Sequence, residues 1–180
     1  MVKKFFGQNL KMAITLAAVM VAVAALPPPA SANLSASGAF TLIRRIPPGE
    51  EMEDAVKFLG VHASERTIDA KMGIKVRRWG KESDKWVFDV LHDGSVVRAA
   101  KITWITTSRR EQQMIFAQLT SQGRNFFGRG GVFHGKSEAE WKDFGEKWLV
   151  LAKQEQEISS GVTLLSGIRD EKMGSGKYGF

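Results

Sequence analysis

The sequence predicts an α+β fold in which an antiparallel β-meander of about three to five strands packs against two or three helices. Three observations support this fold class: a segment with period-two alternation, an Asp-Gly turn between two β-rich runs, and two capping-box patterns. These features lie at Ile68–Val76, at Asp93-Gly94, at Ser108 with Glu111 and at Ser137 with Glu140.

The first 32 residues have the pattern of a cleavable signal peptide. Lys3, Lys4 and Lys11 precede the apolar run Met12 to Leu26, and three prolines and Ala30-Ser31-Ala32 follow it. We expect cleavage after Ala32 and export to the periplasm or the medium. An uncleaved anchor is the alternative, but the run is shorter than the ~20 apolar residues that span a bilayer.

The remaining chain is predicted to form one α+β domain over residues 33–169, followed by a flexible tail over 170–180. The sequence has no cysteine, which excludes a lipid-attachment cysteine, a disulfide and a thiol nucleophile. The net charge is +7 for the full chain and +4 without the three signal lysines, so the preference for anionic surfaces is weak.

The first half of the domain is predicted to contain a strand, a helix and a second strand, in that order. The segment "AFTLIRRI" is expected to be a short strand, and an acid-rich helix is expected to start near Glu50 and end at Gly60. Ile68, Ala70, Met72, Ile74 and Val76 alternate with polar residues, which predicts one continuous strand with a buried face.

The Asp93-Gly94 turn predicts a two-residue hairpin loop that places Asp89 opposite Arg98. The Ser108 helix is expected to stop at Gly123. A second helix is expected from Ser137, with Trp141, Phe144, Trp148 and Leu151 as its apolar stripe, and "GVTLLSGI" is a candidate last strand.

The stretch Gly130–Ser137, "GGVFHGKS", matches the phosphate-loop pattern of nucleotide hydrolases. That motif needs a buried strand before it and a helix after it, and the preceding "GRNFFGRG" is too rich in glycine for such a strand. We therefore interpret the match as chance.

The same glycine-rich loop is a candidate binding loop, because cations lie among Phe126, Phe127 and Phe133. The cations are Arg124, Arg129, His134 and Lys136. The alternative is a connector whose phenylalanines anchor it in the core, and this is the more common role of apolar loop residues.

A second candidate is a row of cations on the outer face of the alternating strand, which suits an anionic ligand. Its members are Lys71, Lys75, Arg77, Arg78 and Trp79. The alternative is a charged solvent face that protects an exposed strand from pairing with other chains.

The sequence lacks the residue patterns that are typical of metal sites and of serine hydrolases. His62, His92 and His134 lie far apart and form no metal-ligand spacing, and no serine lies in Gly-x-Ser-x-Gly or Ser-x-x-Lys. We expect no cofactor and no metal. The favoured function is a non-catalytic binding or accessory protein of the cell envelope, with an anionic envelope polymer or another envelope protein as partner. The alternatives are a hydrolase with a non-local active site and a structural accessory that binds another protein.

The region from Glu50 to Trp104 has the order of a helix ending in "FLG" and a meander with Trp86-Val87-Phe88 and Gly94-Ser95-Val96-Val97. This order resembles the small periplasmic domains of the outer-membrane assembly lipoprotein and β-lactamase-inhibitor-protein type. The resemblance implies a helix on a three-stranded sheet. The lipoprotein cysteine is missing, and the later helices have no counterpart in those domains.

Overall fold

The computed structural model describes residues 33–81, 83–128, 131–143, 148–159 and 161–168. These ranges contain three helices and eight strands. The helices are α1 (Ala36–Arg45), α2 (Met52–Leu59) and α3 (Arg109–Phe127). The strands are β1 (Ser64–Asp69), β2 (Ile74–Trp79), β3 (Trp86–His92), β4 (Val97–Trp104), β5 (Val132–Phe133), β6 (Glu138–Asp143), β7 (Trp148–Gln154) and β8 (Val162–Ile168). The signal-peptide prediction, with its cleavage after Ala32, and the tail prediction lie outside the described residues.

All eight strands form one antiparallel sheet with the order β1-β2-β3-β4-β8-β7-β6-β5. Two four-stranded meanders therefore meet at the β4–β8 pair, where Ile102 lies opposite Leu164. α1 and α2 precede the first meander, and α3 precedes the second. The predicted α+β class with an antiparallel sheet is confirmed, but the sheet has more strands than the three to five expected.

The helices pack on one face of the sheet. Phe40 and Ile43 of α1, Met52 of α2 and Leu119 of α3 share a buried cluster with sheet residues such as Trp141. Burial of these apolar side chains is the main force that holds the two layers together. A second, smaller cluster contains no helix residue; its buried members are Ile74, Val76, Leu91 and Ala99.

The segment "AFTLIRRI" is helical, so the strand expected there is wrong. The Ser35 hydroxyl accepts a hydrogen bond from the Gly38 N–H (3.0 Å) as an N-cap, and Arg44 and Arg45 lie in the last turn. Ala36, Ala39, Phe40 and Ile43 are all buried, which is the i, i+3, i+4, i+7 spacing of one helix face.

The alternating segment is a hairpin of two strands, not one strand. The Asp69 carboxylate accepts hydrogen bonds from the N–H groups of Lys71 (3.0 Å) and Met72 (3.2 Å), and Gly73 has φ +67°. These contacts turn the chain between β1 and β2, which leaves Met72 exposed. Local side-chain bonds to the backbone thus interrupt a sequence that alternates throughout.

The hairpin at Asp93-Gly94 is present, but the expected register is wrong. The Asp93 carboxylate accepts from the N–H groups of Ser95 (3.1 Å) and Val96 (3.0 Å), and this lengthens the turn. Asp89 therefore lies opposite Lys101. Arg98, the expected partner of Asp89, forms its ion pair with Asp93 instead.

α3 begins at the predicted N-cap, Ser108, but it continues through Gly123 and ends at Gly128, which has φ +67°. The helix expected from Ser137 is wrong, because β6 and β7 occupy that region. In β6, Ala139 and Trp141 are buried while the polar residues between them are not, which is a period of two. The expected strand in "GVTLLSGI" is confirmed as β8.

Candidate binding site

An open groove runs between the C-terminal half of α3 and the edge strand β5. Its volume is about 460 Å³, and it is referred to below as the α3–β5 groove. The lining residues are Ala117, Thr120, Ser121, Arg124, Asn125, Gly131 and Phe133. Hydroxyl, amide, guanidinium and aromatic groups thus converge on one concavity, which is the composition of a binding site for a polar ligand or chain.

Trp141 shapes this groove from below. Its ring packs edge-on against Phe40 and stacks on Phe127, with ring centroids 5.5 Å and 5.9 Å apart. A Cβ at Gly131 would lie 2.9 Å from the indole Nε1, so only glycine allows the loop to pass this close. The indole N–H is buried and has no hydrogen-bond partner among the described residues. The loop therefore runs directly over an unsatisfied donor.

The cations of the predicted binding loop are only partly brought together. Arg124 lines the groove, and no carboxylate among the described residues pairs with it. His134 Nε2 lies 3.4 Å from Glu140 Oε2, and Lys136 is exposed in the following turn. Arg129 lies outside the described residues. Phe126 and Phe127 pack against the core, whereas Phe133 stays exposed at 57%.

The residues of the expected cation row do not share one outward face. Lys71 lies in the β1–β2 turn, and Trp79 is buried in the helix-side core, where its Nε1 donates to the Gly60 carbonyl (3.0 Å). Lys75 Nζ lies 3.2 Å from Glu65 Oε1, and Arg77 is hydrogen-bonded to the same carboxylate. Arg77, and then Lys75, hold the pKa of Glu65 down to about 2. The Glu65 carboxylate therefore compensates much of this positive charge.

Arg78 lies on the opposite face of the sheet from Lys75 and Arg77, because neighbouring residues of a strand alternate. Its Nε and Nη2 bind both carboxylate oxygens of Asp89, at 2.7 Å and 2.8 Å. Asp89 is buried, and this two-point bond compensates its charge. Lys101 lies across from Asp89, and burial lowers its pKa. Arg78 thus has a structural role in the sheet.

His92 is buried beside the Glu65 cluster. Its Nδ1 accepts a hydrogen bond from the Gly94 N–H (3.0 Å), so the neutral ring carries its proton on Nε2, which lies 3.4 Å from Glu65 Oε2. Burial, and then the charge of Arg77, lower the pKa of His92. The ring is therefore neutral near pH 7.

The phosphate-loop pattern at Gly130–Ser137 leads into β6, not into a helix. The helix N-terminus that would bind a phosphate is missing at this position. Within the described residues, no group of three or more His, Asp or Glu side chains is arranged to hold a metal ion. None of the described helices is long and apolar enough to cross a membrane.

A second groove, of about 570 Å³, lies on the same helix between α3 and the start of α1. Ser35, Ala36, Ser37, Met114 and Gln118 contribute to its lining, and no charged side chain does. It shares Ala117 and Ser121 with the α3–β5 groove. The first groove is the stronger candidate because it combines charge, an exposed ring and a sheet edge.

The polar lining of the α3–β5 groove was not identified from the sequence. Asn125 lies beyond Gly123, where the helix was expected to stop, and Thr120 and Ser121 were not among the predicted site residues. Comparison with family models, with curated proteins and with solved structures finds no match for this chain.

Proposed function

We propose that this chain is an exported, non-catalytic binding protein that holds another protein of the cell envelope in the α3–β5 groove. The observation that supports this most directly is an exposed phenylalanine, Phe133, on an edge strand beside Arg124, which pairs with no carboxylate in the part of the chain that the structure describes. Export follows from the predicted signal peptide.

Exposed apolar side chains on a strand at the edge of a sheet favour contact with another chain. Val132 and Phe133 are exposed at 59% and 57%, and β6 is the one partner of β5 among the described strands. A solvated edge normally carries charges in such positions. A partner that covers Phe133 would bury a large ring and place a polar group near Arg124, which is how interface anchors act.

An anionic envelope polymer bound to the cations of β2 is less favoured as the function. Glu65 binds Lys75 and Arg77, and Asp89 binds Arg78, so little charge of that strand is available to a ligand. An enzymatic role is also less favoured, because the sequence carries none of the catalytic motifs considered above.

Site-directed photo-crosslinking in the cells that produce the protein tests the proposal. A photoreactive phenylalanine analogue at Phe133, or at Ser121 in the groove wall, is expected to form a covalent adduct with a second protein. The same analogue at Thr67, an exposed position on the opposite edge strand β1, is the matched control. Adducts of equal yield at Thr67, or no adduct at either groove position, would contradict the proposal.

A further inference from the structure

We infer that the partner binds as an extended strand added to β5, with an acidic side chain directed to Arg124. This inference rests on the proposed function and specifies the chemistry of the partner at the same groove.

The two edges of the sheet differ in how they are protected. β1 carries Glu65, Arg66 and Asp69 along its six residues, and charged side chains discourage pairing with another chain. β5 presents Val132 and Phe133, both exposed and both apolar. Only the β5 edge therefore favours the addition of a strand.

The backbone of β5 is oriented for such pairing. The His134 N–H donates to the Glu138 carbonyl (3.1 Å), and Val132 lies opposite Glu140. In an antiparallel ladder, alternate residues direct their N–H and C=O groups to opposite sides. The N–H and C=O of Phe133 are therefore directed away from β6, towards the outer side of the sheet edge.

The α3–β5 groove lies on the helix side of this edge. Phe133 is paired with Ala139, which is buried against the helices, so its ring lies on the face of the sheet that α3 covers. An added strand would direct every second side chain to that face. One such side chain would contact the Phe133 ring, and another would reach Arg124, Asn125 or the hydroxyl of Ser121.

The charge of the groove selects an acidic partner and disfavours a second copy of this chain. Two copies joined by antiparallel pairing of β5 with β5 would bring Arg124 and Lys136 of both copies to the same edge. Like charges across paired strands are destabilising. A carboxylate that reaches Arg124 would instead form a charge-assisted hydrogen bond.

Synthetic peptides provide the test. The probes are the N-acetylated, C-amidated pentapeptide Thr-Val-Asp-Val-Thr, its variants with Asn or Lys in place of Asp, and two N-methylated forms of the Asp peptide, one methylated at both valines and the other at Asp and both threonines. We expect the Asp peptide to shift the amide signals of Gly131 and Phe133 and the indole N–H signal of Trp141 in protein NMR spectra. Affinity should fall at least tenfold for the Lys peptide and be lost for one of the two N-methylated peptides, because alternate residues of a strand direct their N–H groups to the same side and only one of the two sets lies against β5.

Two pairs of variants separate the parts of the inference. Arg124→Gln should abolish the preference for Asp over Asn, whereas Lys136→Gln should leave most of it. Phe133→Pro removes the outward N–H without removing a β5–β6 hydrogen bond. It should therefore lower the affinity for the Asp peptide at least threefold more than Phe133→Ala does. Retention of the β5–β6 amide signals confirms that each variant is folded.

The outcomes distinguish this inference from the proposed function. Adducts at Phe133 in cells, combined with equal affinity for the Asp, Lys and N-methylated peptides, would leave the groove as the binding site and overturn the added acidic strand. No peptide-induced shift at Gly131 or Phe133 at millimolar concentration would also overturn it. Dimerisation of the protein through β5 would show that the occupant is a second copy and would contradict the charge argument.

Discussion

The indole of Trp141 lies against the backbone of α3 at Gly123, so closely that a methyl group on the glycine would overlap the ring atoms Cζ2 and Cε2. Gly123 is buried within the helix and does not end it. The contact joins α3 to β6 and sets the position of the groove above the ring. Gly123 therefore serves close packing between a helix and a strand.

Gly123→Ala is expected to lower the free energy of unfolding by about 1–3 kcal/mol, because the added methyl group over-packs a ring that is itself enclosed. Urea denaturation followed by tryptophan fluorescence measures this. Gly38→Ala in α1 is the matched control: its Cβ would lie 3.2 Å from the Ser35 hydroxyl and 3.3 Å from Leu34 Cδ1, which is close but without the overlap found at Gly123, and alanine favours the helix. An effect at Gly38 as large as that at Gly123 would contradict the role of Trp141.

Arg78→Leu is expected to lower the free energy of unfolding by about 3 kcal/mol, because it leaves the buried carboxylate of Asp89 without its two-point partner. Arg98→Leu is the control, since the Asp93 carboxylate that it pairs with also accepts two backbone N–H bonds and the pair lies at the surface. Arg98→Leu should lower the free energy of unfolding by less than about 1 kcal/mol. Equal losses in thermal or urea unfolding would contradict the structural role of Arg78.

Gln112 is completely buried and joins α3 to the β7–β8 connection. Its Nε2 lies within hydrogen-bond distance of the carbonyls of Glu155 (2.8 Å), Gly161 (2.6 Å) and Glu157 (3.2 Å). Gln112→Leu should lower the free energy of unfolding by about 1–3 kcal/mol, because it removes the hydrogen bonds that Nε2 donates to these carbonyls, although each carbonyl keeps one other donor. Hydrogen exchange should show faster opening around Gly161 in this variant, and unchanged exchange there would count against the network.

The stability of the protein should fall as the pH is lowered from 7 to 5, because His92 is held neutral in the fold. Its pKa is lower in the folded chain than in the unfolded chain, so its contribution is complete above about pH 6.5 and is lost as the pH falls below that value. For one such group the slope is at most about 1.4 kcal/mol per pH unit. His92→Gln, which keeps an acceptor for the Gly94 N–H, should flatten the curve in this window.

A second loss of stability is expected at lower pH, and it comes from Glu65. Its carboxyl pKa is lowered to about 2, mainly by Arg77, so its contribution is complete above about pH 4.5 and is lost as the pH falls towards 2. Glu65→Gln should therefore flatten the stability curve mainly below pH 4.5. If Glu65→Gln removed the change between pH 7 and 5, the assignment of that window to His92 would be wrong.

The sequence predicted the helix or strand type correctly for those elements whose capping residues, turn residues and hydrophobic pattern agree with the way they pack. α2 with its terminal Gly60, the start of α3 at Ser108 and the last strand β8 belong to this group. Capping and turn chemistry are local, so a sequence alone can reveal them.

The error at the helix expected from Ser137 arose because two periodicities coexist in one segment. Trp141, Phe144, Trp148 and Leu151 fit helical spacing, yet Ala139 and Trp141 alternate with charged residues as a strand requires. Packing against α3 at Gly123 favours the strand, and that contact is distant in sequence. The groove was missed for the same reason: its wall on α3 and its edge at Phe133 become neighbours only when β5 joins the sheet.

The last strand that the structure describes, β8, occupies the middle of the sheet. Until residues 162–168 are available, β4 and β7 are both open edges, and no described strand joins the two meanders by ladder hydrogen bonds. During synthesis, each half can form from neighbouring segments, but their union must wait for the final strand. A chain that is shortened by those few residues would thus keep most of its core side chains and still lose the continuity of its sheet, exposing two long apolar edges to other chains in the cell.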